Sequence, residues 1–148
     1  MIRVQDVQME YAGKRVLAGV STAFPAGRLT SLIGPNGAGK TTLLMLMARL
    51  LEPTAGSILL DDREVSGIRI GDYARRVATL RQSPGFHLRL TVDELVAFGR
   101  FPHSRGTLTP ADRRAIDEAI AFLSLQPLRH AYIDEPVSYT HLTLPTKA

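Results

Sequence analysis

Gly34-Pro35-Asn36-Gly37-Ala38-Gly39-Lys40-Thr41-Thr42 fits the pattern G-x-x-x-x-G-K-[ST], a loop whose backbone amides cradle phosphate. Before it runs Leu29-Thr30-Ser31-Leu32-Ile33, an apolar and β-branched stretch that predicts a buried strand. After it runs Leu43-Leu44-Met45-Leu46-Met47-Ala48-Arg49-Leu50-Leu51, helix formers throughout. Strand, glycine loop and helix together are the setting this motif requires. The plain alternative is a glycine turn before a core helix with an incidental lysine. Three glycines, Lys-Thr-Thr and both flanks in one place argue against it.

Each position has a chemical task. Glycine lets the main chain approach phosphate oxygens with no Cβ in the way. Successive N–H groups at a helix N-terminus then converge on anionic oxygens, where the helix dipole also favours negative charge. In this pattern Lys40 reaches the β- and γ-phosphates, the Thr41 hydroxyl coordinates Mg²⁺, and Thr42 adds a hydroxyl on the α-phosphate side.

Working outward, Ile2, Val4, Val7 and Met9 mark a half-buried first strand, with Tyr11 at its end ahead of a Gly13-Lys14 turn. Val16-Leu17 and Val20 to Phe24 predict two further short strands, closed by Pro25-Ala26-Gly27. Strands so close together predict an antiparallel layer beside a parallel core. Downstream, Glu52 to Ser57 reads as a loop and Ile58-Leu59-Leu60 as a strand. Asp72 to Arg76 reads as a short helix capped by Asp72, and Val77-Ala78-Thr79-Leu80 as a buried strand with Gln82 just past its end. Ligand groups gather outside the carboxyl ends of strands in such sheets, which points Gln82 toward a nucleotide. Thr91-Val92-Asp93-Glu94 carries a capping-box signal and its helix closes at Gly99. Thr109-Pro110 starts another, with Ile116, Ala119, Ile120 and Leu123 at helical spacing.

The 148 residues suffice for one domain with a core, and 45% hydrophobic with 22% charged residues is ordinary for a globular chain. No apolar run reaches the length of a membrane span, and Arg3, Gln5 and Asp6 interrupt any signal-peptide core. Without cysteine there is neither disulfide nor thiolate metal site. The net charge of +4 comes from scattered arginines, read as solvated surface, with no aromatic-interleaved basic run. Nucleic acid is therefore not expected as a partner. His87, His103 and His130 have no second ligand at metal spacing.

These residues resemble the ATP-binding subunits of ABC transporters. Gly34, Pro35, Asn36, Gly37, Ala38, Gly39, Lys40, Thr41 and Thr42 are similar to the Walker A motif, Tyr11 to the aromatic residue that stacks on adenine, and Leu80-Arg81-Gln82 to the Q-loop. Taken alone, Tyr11 equally suits a core aromatic at a strand end, and Gln82 a solvated side chain. Thr91 to His103 resembles the importer subgroup serving iron-siderophore, haem and cobalamin uptake. The likeness implies an α/β P-loop NTPase with an antiparallel β layer and the start of a helical subdomain, spanning residues 1–136. It implies ATP and Mg²⁺ as cofactors, with Thr41 and Gln82 at the metal.

The same resemblance implies an ATPase that powers import of a ferric siderophore or related chelate. The intact protein would pair as a homodimer, sit peripherally on the cytoplasmic face of the cell membrane and work with integral permease subunits, served indirectly by a periplasmic or lipoprotein substrate-binding protein. Gln82 through Phe101 is the expected permease docking region, with Phe86, Leu88 and Phe101 as its exposed apolar groups.

The chain departs from the family in its second half. It contains no Leu-Ser-Gly-Gly-Gln signature, no convincing Walker B strand, no D-loop and no switch histidine, so no catalytic residue is assigned. Ala131-Tyr132-Ile133-Asp134-Glu135-Pro136 imitates a Walker B ending, but its apolar run is too short for a buried parallel strand. Residues 137–148, from Val137-Ser138-Tyr139-Thr140-His141, look like translated sequencing adapter and are expected to be a loosely placed, non-native tail on a truncated chain; Ser138, Tyr139 and His141 are not a catalytic set. A phosphate cradle without a base to orient water binds nucleotide and hydrolyses it poorly. Two alternatives follow: a truncated nucleotide-binding module without turnover, or an ABC-type ATPase of repair or translation. The importer-like Phe98 to His103 argues against the latter.

Overall fold

Alternation of Val4, Val7 and Met9 places one face of a strand against an apolar layer, and the computed structural model, which describes residues 1–80 and 89–133, builds its sheet on that face. The chain divides into two units, Met1–Leu80 and Arg81–Ala148. In the first, β1 (Ile2–Tyr11), β2 (Lys14–Phe24), β3 (Ala55–Leu60) and β4 (Arg63–Glu64) form an antiparallel sheet in the order β2-β1-β3-β4. Helix α1 (Lys40–Met47) contributes Leu43, Leu46 and Met47 to the core, a stripe at three- and four-residue spacing. They share it with Val4, Val7, Met9, Leu17, Ile58, Leu60, Val65, Ile68 and Tyr73. Tyr73 lies in the short α2 (Ile70–Ala74).

The step from Val4 to Val7 breaks a strict two-residue period, and a β-bulge accounts for it. Asp6 adopts φ 46, and both ladders shift register there, between Val4 and Val7 against β2 and between Gln5 and Gln8 against β3. The extra residue returns Val7 (0% exposed) to the face that holds Val4. Glycines flank the bulge on both neighbours: a Cβ on Gly56 would lie 2.2 Å from the Asp6 carbonyl oxygen, and one on Gly19 2.7 Å from its carboxylate.

Several sequence expectations are corrected. The two strands read from Val16 to Phe24 are one, β2. The first hairpin turns through Ala12 and Gly13, both at positive φ, not through Gly13-Lys14. Residues 55–57 belong to β3, not to a loop, because Ser57 and Ala55 pair with Gln5 and Gln8. Leu29 to Ile33 is not a strand: Leu29 is 99% and Ile33 93% exposed, and no strand among the described residues pairs with it. Residues 77–80 likewise form no strand, since the Val77 amide bonds back to the Tyr73 carbonyl at 3.0 Å and Leu80 stands in solvent. A doubly buried parallel strand needs ladder partners on both sides, which apolar sequence alone does not supply. Asp72 is not the cap of α2; Arg69 is, and Asp72 sits inside the first turn between Arg69 and Arg75. Helix α1 stops at Met47 rather than Leu51, turned by Arg49 at φ 56, a left-handed conformation costing a non-glycine residue about 1–2 kcal/mol.

The second unit is helical: α3 (Val92–Phe98), α4 (Phe101–Ser104) and α5 (Pro110–Phe122). Both predicted starts are capping boxes. Glu94 N–H donates to the Thr91 hydroxyl at 3.3 Å while the Thr91 amide donates to Glu94, and Thr109 and Asp112 repeat the arrangement. Ile116 and Ile120 are the buried pair of α5, whereas Leu123 is exposed. The arginines are less idle than their scatter suggests. Arg100 donates from two nitrogens to the buried Asp112 at 2.9 and 2.7 Å, and Arg129 bridges Asp93 and Asp117 at 2.7 Å each. Tyr132 holds a single bridge to Thr91, with the Arg89 guanidinium 4.3 Å from its ring centre.

Candidate functional site

The glycine loop and the start of α1 form the site. Gly37 and Gly39 take φ 81 and 82, conformations that L side chains rarely adopt. At Gly39 a second constraint operates: a Cβ would fall 2.6 Å from Leu17 Cδ2 and 3.1 Å from the Val16 carbonyl oxygen. The loop is therefore seated on β2 at its last glycine. The Ala38 amide bonds to the Pro35 carbonyl at 3.3 Å, and the Leu43 amide to the Gly39 carbonyl at 2.9 Å opens the helix. Lys40 folds back over the loop, its Nζ donating to the carbonyls of Gly34 and Pro35 at 2.7 Å each. The lysine charge is thus held at the mouth of the loop on hydrogen bonds that a stronger anionic acceptor can replace.

The N-terminus of α1 differs from those of α3 and α5. No side chain caps it, and its first turn carries no acid. Both longer helices of the second unit instead close their first amides with threonine and carboxylate side chains. At α1 the amides that a helix leaves without internal partners are offered by the glycine loop, together with the positive end of the dipole and one lysine. Phosphate oxygens are the acceptors this donor set suits.

Of the predicted residues, Gly34, Pro35, Ala38 and Lys40 are joined by contacts within the loop, while Gly39 meets β2 and the Leu43 amide. Asn36 and Gly37 form its exposed tip, Thr41 is exposed on the first turn of α1 and Thr42 partly so. Tyr11 lies on the β1–β2 hairpin whose Val16 and Leu17 seat Gly39; at 70% exposure it is not a core aromatic. Gln82 lies outside the described residues, as do Phe86, His87, Leu88, Asp134 to Pro136 and the tail 137–148. Phe101 is 60% exposed. Sequence reading missed Arg49 and Tyr73, which close the far end of α1. Nothing in the sequence signals either, since Leu43 to Leu51 are helix formers throughout.

The family model described as ABC transporter matches residues 17–143. The chain belongs to the ABC transporter family. It is 39% identical over 135 residues to the petrobactin import ATP-binding protein YclP of Bacillus subtilis (strain 168), covering 91% of this chain and 54% of that protein. It is 42% identical, with the same coverage, to the petrobactin import ATP-binding protein FatE of Bacillus anthracis. The chain thus spans about half the length of these relatives. Its fold matches cbiO1 from Clostridium perfringens, described as part of the ABC transporter complex cbiONQ, with a TM-score of 0.73 at 24% identity over 88% of this chain and 53% of that one. The expected class stands: an α/β P-loop fold of the ABC ATPase type, with an antiparallel layer and the start of a helical subdomain. Among the described residues no helix is long and apolar enough to cross a membrane.

Proposed function

We propose that this chain is the nucleotide-binding portion of an ATP-binding subunit that energises an ABC importer. The observation that carries the reading is the glycine loop seated on β2, with Lys40 at its mouth and an uncapped, acid-free helix start behind it. In this reading the amides from Gly37 to Thr42 hold the phosphates, Lys40 leaves the Gly34 and Pro35 carbonyls for the β- and γ-phosphate oxygens, and Tyr11 stacks on adenine. The Thr41 hydroxyl, with Gln82, would hold Mg²⁺. Held there, the metal would add to the charge neutralisation that Lys40 and the loop amides give the phosphates. The test is equilibrium binding of a fluorescent ATP analogue with MgCl₂ to the chain and to Lys40→Ala. Wild type is expected to bind, and the variant to lose about tenfold or more, the worth of one charged hydrogen bond at about 1.5–3 kcal/mol. Absence of saturable binding to wild type overturns the reading.

The cargo in this reading is siderophore-bound iron or a related chelate, which the relatives' names, petrobactin import and iron(3+)-hydroxamate import, support. The partners in this reading are a second ATPase copy and integral permease subunits at the cytoplasmic face of the membrane, with a substrate-binding protein acting through them. The region from Gln82 to Phe101 is where the permease docks; Phe101→Glu should weaken subunit association, and unchanged association removes that assignment.

A second reading is favoured for the 148-residue chain itself. Lacking the signature, Walker B and switch-histidine motifs in its sequence, it binds nucleotide without turnover. A phosphate-release assay on the chain decides this. In this scheme residues 1–136 are the partial ATPase domain and 137–148 a non-native tail, which resequencing the gene beyond Glu135 from an independent library tests directly.

A further inference from the structure

Helix α1 carries the phosphate loop at one end, and its other end is closed more completely than a surface helix requires. The Ala48 amide takes the Leu44 carbonyl and the Leu50 amide the Met45 carbonyl, both at 2.9 Å, while the Arg49 amide takes the Leu46 carbonyl at 3.0 Å. With Arg49 left-handed at φ 56 this is a Schellman ending, normally built on glycine. The remaining carbonyl, that of Met47, accepts from the hydroxyl of Tyr73, a side chain 2% exposed. Burial pushes that hydroxyl's pKa up, so it stays protonated and donating at any ordinary pH.

Arg49 is held in its unfavourable backbone conformation from two sides. Its guanidinium donates to the Ile68 carbonyl at 2.5 Å and lies 5.5 Å from the centre of the Tyr73 ring. Strained residues persist where their surroundings over-determine them. A glycine would make the same turn without strain; what the arginine adds is its head group. That group ties the C-terminal end of α1 to Ile68 and Tyr73, and the Tyr73 carbonyl in turn accepts the amides of Arg76 and Val77 at 2.9 and 3.0 Å. Because α1 is only eight residues long, two turns, any tilt at Met47 is carried into the amides at Lys40.

We propose that Arg49 and Tyr73 are positioning residues for the phosphate loop: by clamping the Met47 end of α1 they hold the Gly37–Lys40 amides in their phosphate-binding arrangement. The inference rests on the nucleotide-binding reading above. It also predicts something a plain helix cap would not, because binding should fall while stability barely moves. In Arg49→Gly the turn is kept and the relief of about 1–2 kcal/mol of left-handed strain offsets the lost guanidinium contacts, so without nucleotide the variant should melt near the wild-type temperature. Its affinity for the fluorescent ATP analogue should nevertheless fall by about threefold to thirtyfold, the range of residues acting through a packed element. Tyr73→Phe, which keeps the ring and removes only the hydroxyl, should show the same loss.

Hydrogen exchange of the Gly37 to Lys40 amides, measured without nucleotide on the full chain, should be faster in both variants. If Arg49→Gly and Tyr73→Phe fold, bind with wild-type affinity and exchange these amides at the wild-type rate, the clamp is a helix ending only and the proposal is overturned. Should wild type and Lys40→Ala both fail to bind nucleotide, the nucleotide reading falls separately. The exchange rates then still decide whether the clamp holds the loop, unchanged rates sinking it.

Discussion

At the scale of single residues, the sheet depends on the space beside Asp6. Both Gly19 and Gly56 have positive φ, yet an added methyl meets different atoms: the end of the Asp6 side chain at Gly19, the Asp6 backbone itself at Gly56. A carboxylate can rotate away, whereas a carbonyl in a ladder cannot move without breaking the sheet. Gly56→Ala should therefore cost about 3 kcal/mol or more, adding overpacking to backbone strain, and Gly19→Ala about 1–2 kcal/mol from strain alone. Urea unfolding of the two variants checks the order, and equal losses would refute the account. Asp112 offers a second test, through pH. The Thr109 hydroxyl and amide, then the Arg100 guanidinium, hold its pKa down at about 2 from an ordinary 3.8. A depressed carboxylate contributes stability that is complete above the unfolded value and is lost as pH falls through the folded one. The stability of wild type should decline between about pH 4 and pH 2 on this account, and Asp112→Asn, destabilised at neutral pH, should show a shallower decline there; parallel slopes from urea midpoints would exclude Asp112 as the cause.

At the scale of elements, helix starts divide by chemistry. α3 and α5 close their first amides with Thr91 and Glu94 and with Thr109 and Asp112, so these helices are set by local sequence. Thr91→Ala and Thr109→Ala should each cost about 1 kcal/mol, with faster amide exchange confined to the first turn of the affected helix. Loss of protection spread through both helices from either change would show that the caps do more than end a helix. α1 starts on Gly39 with no side-chain cap and ends on Arg49 with no glycine, so neither end is set by its own residues. Packing against Leu17 at one end and Tyr73 at the other places it instead.

At the scale of the molecule, Leu29, Ile33 and Leu80 stand almost wholly in water, although their segments read as buried strands. Replacing Leu29 and Leu80 with lysine should lower the binding of a dye that reports exposed apolar surface, with little change in unfolding midpoint; a collapse in stability would show that these side chains are packed in solution. The phosphate loop, the presence of α1 though not its ends, the capping boxes and the buried residues of β1 were legible from residues alone, because each rests on contacts within a turn or two: glycine torsions, threonine caps, apolar spacing. What the residues could not announce was pairing. Whether 29–33 and 77–80 become strands depends on ladder partners elsewhere, and the same apolar pattern fits paired and unpaired backbone alike. The bulge at Asp6 needed Gly56 from a strand some fifty residues on, and the closure of α1 needed Tyr73 to reach Met47. Contacts between residues distant in sequence leave no periodic trace in it, and only the tertiary structure decides them.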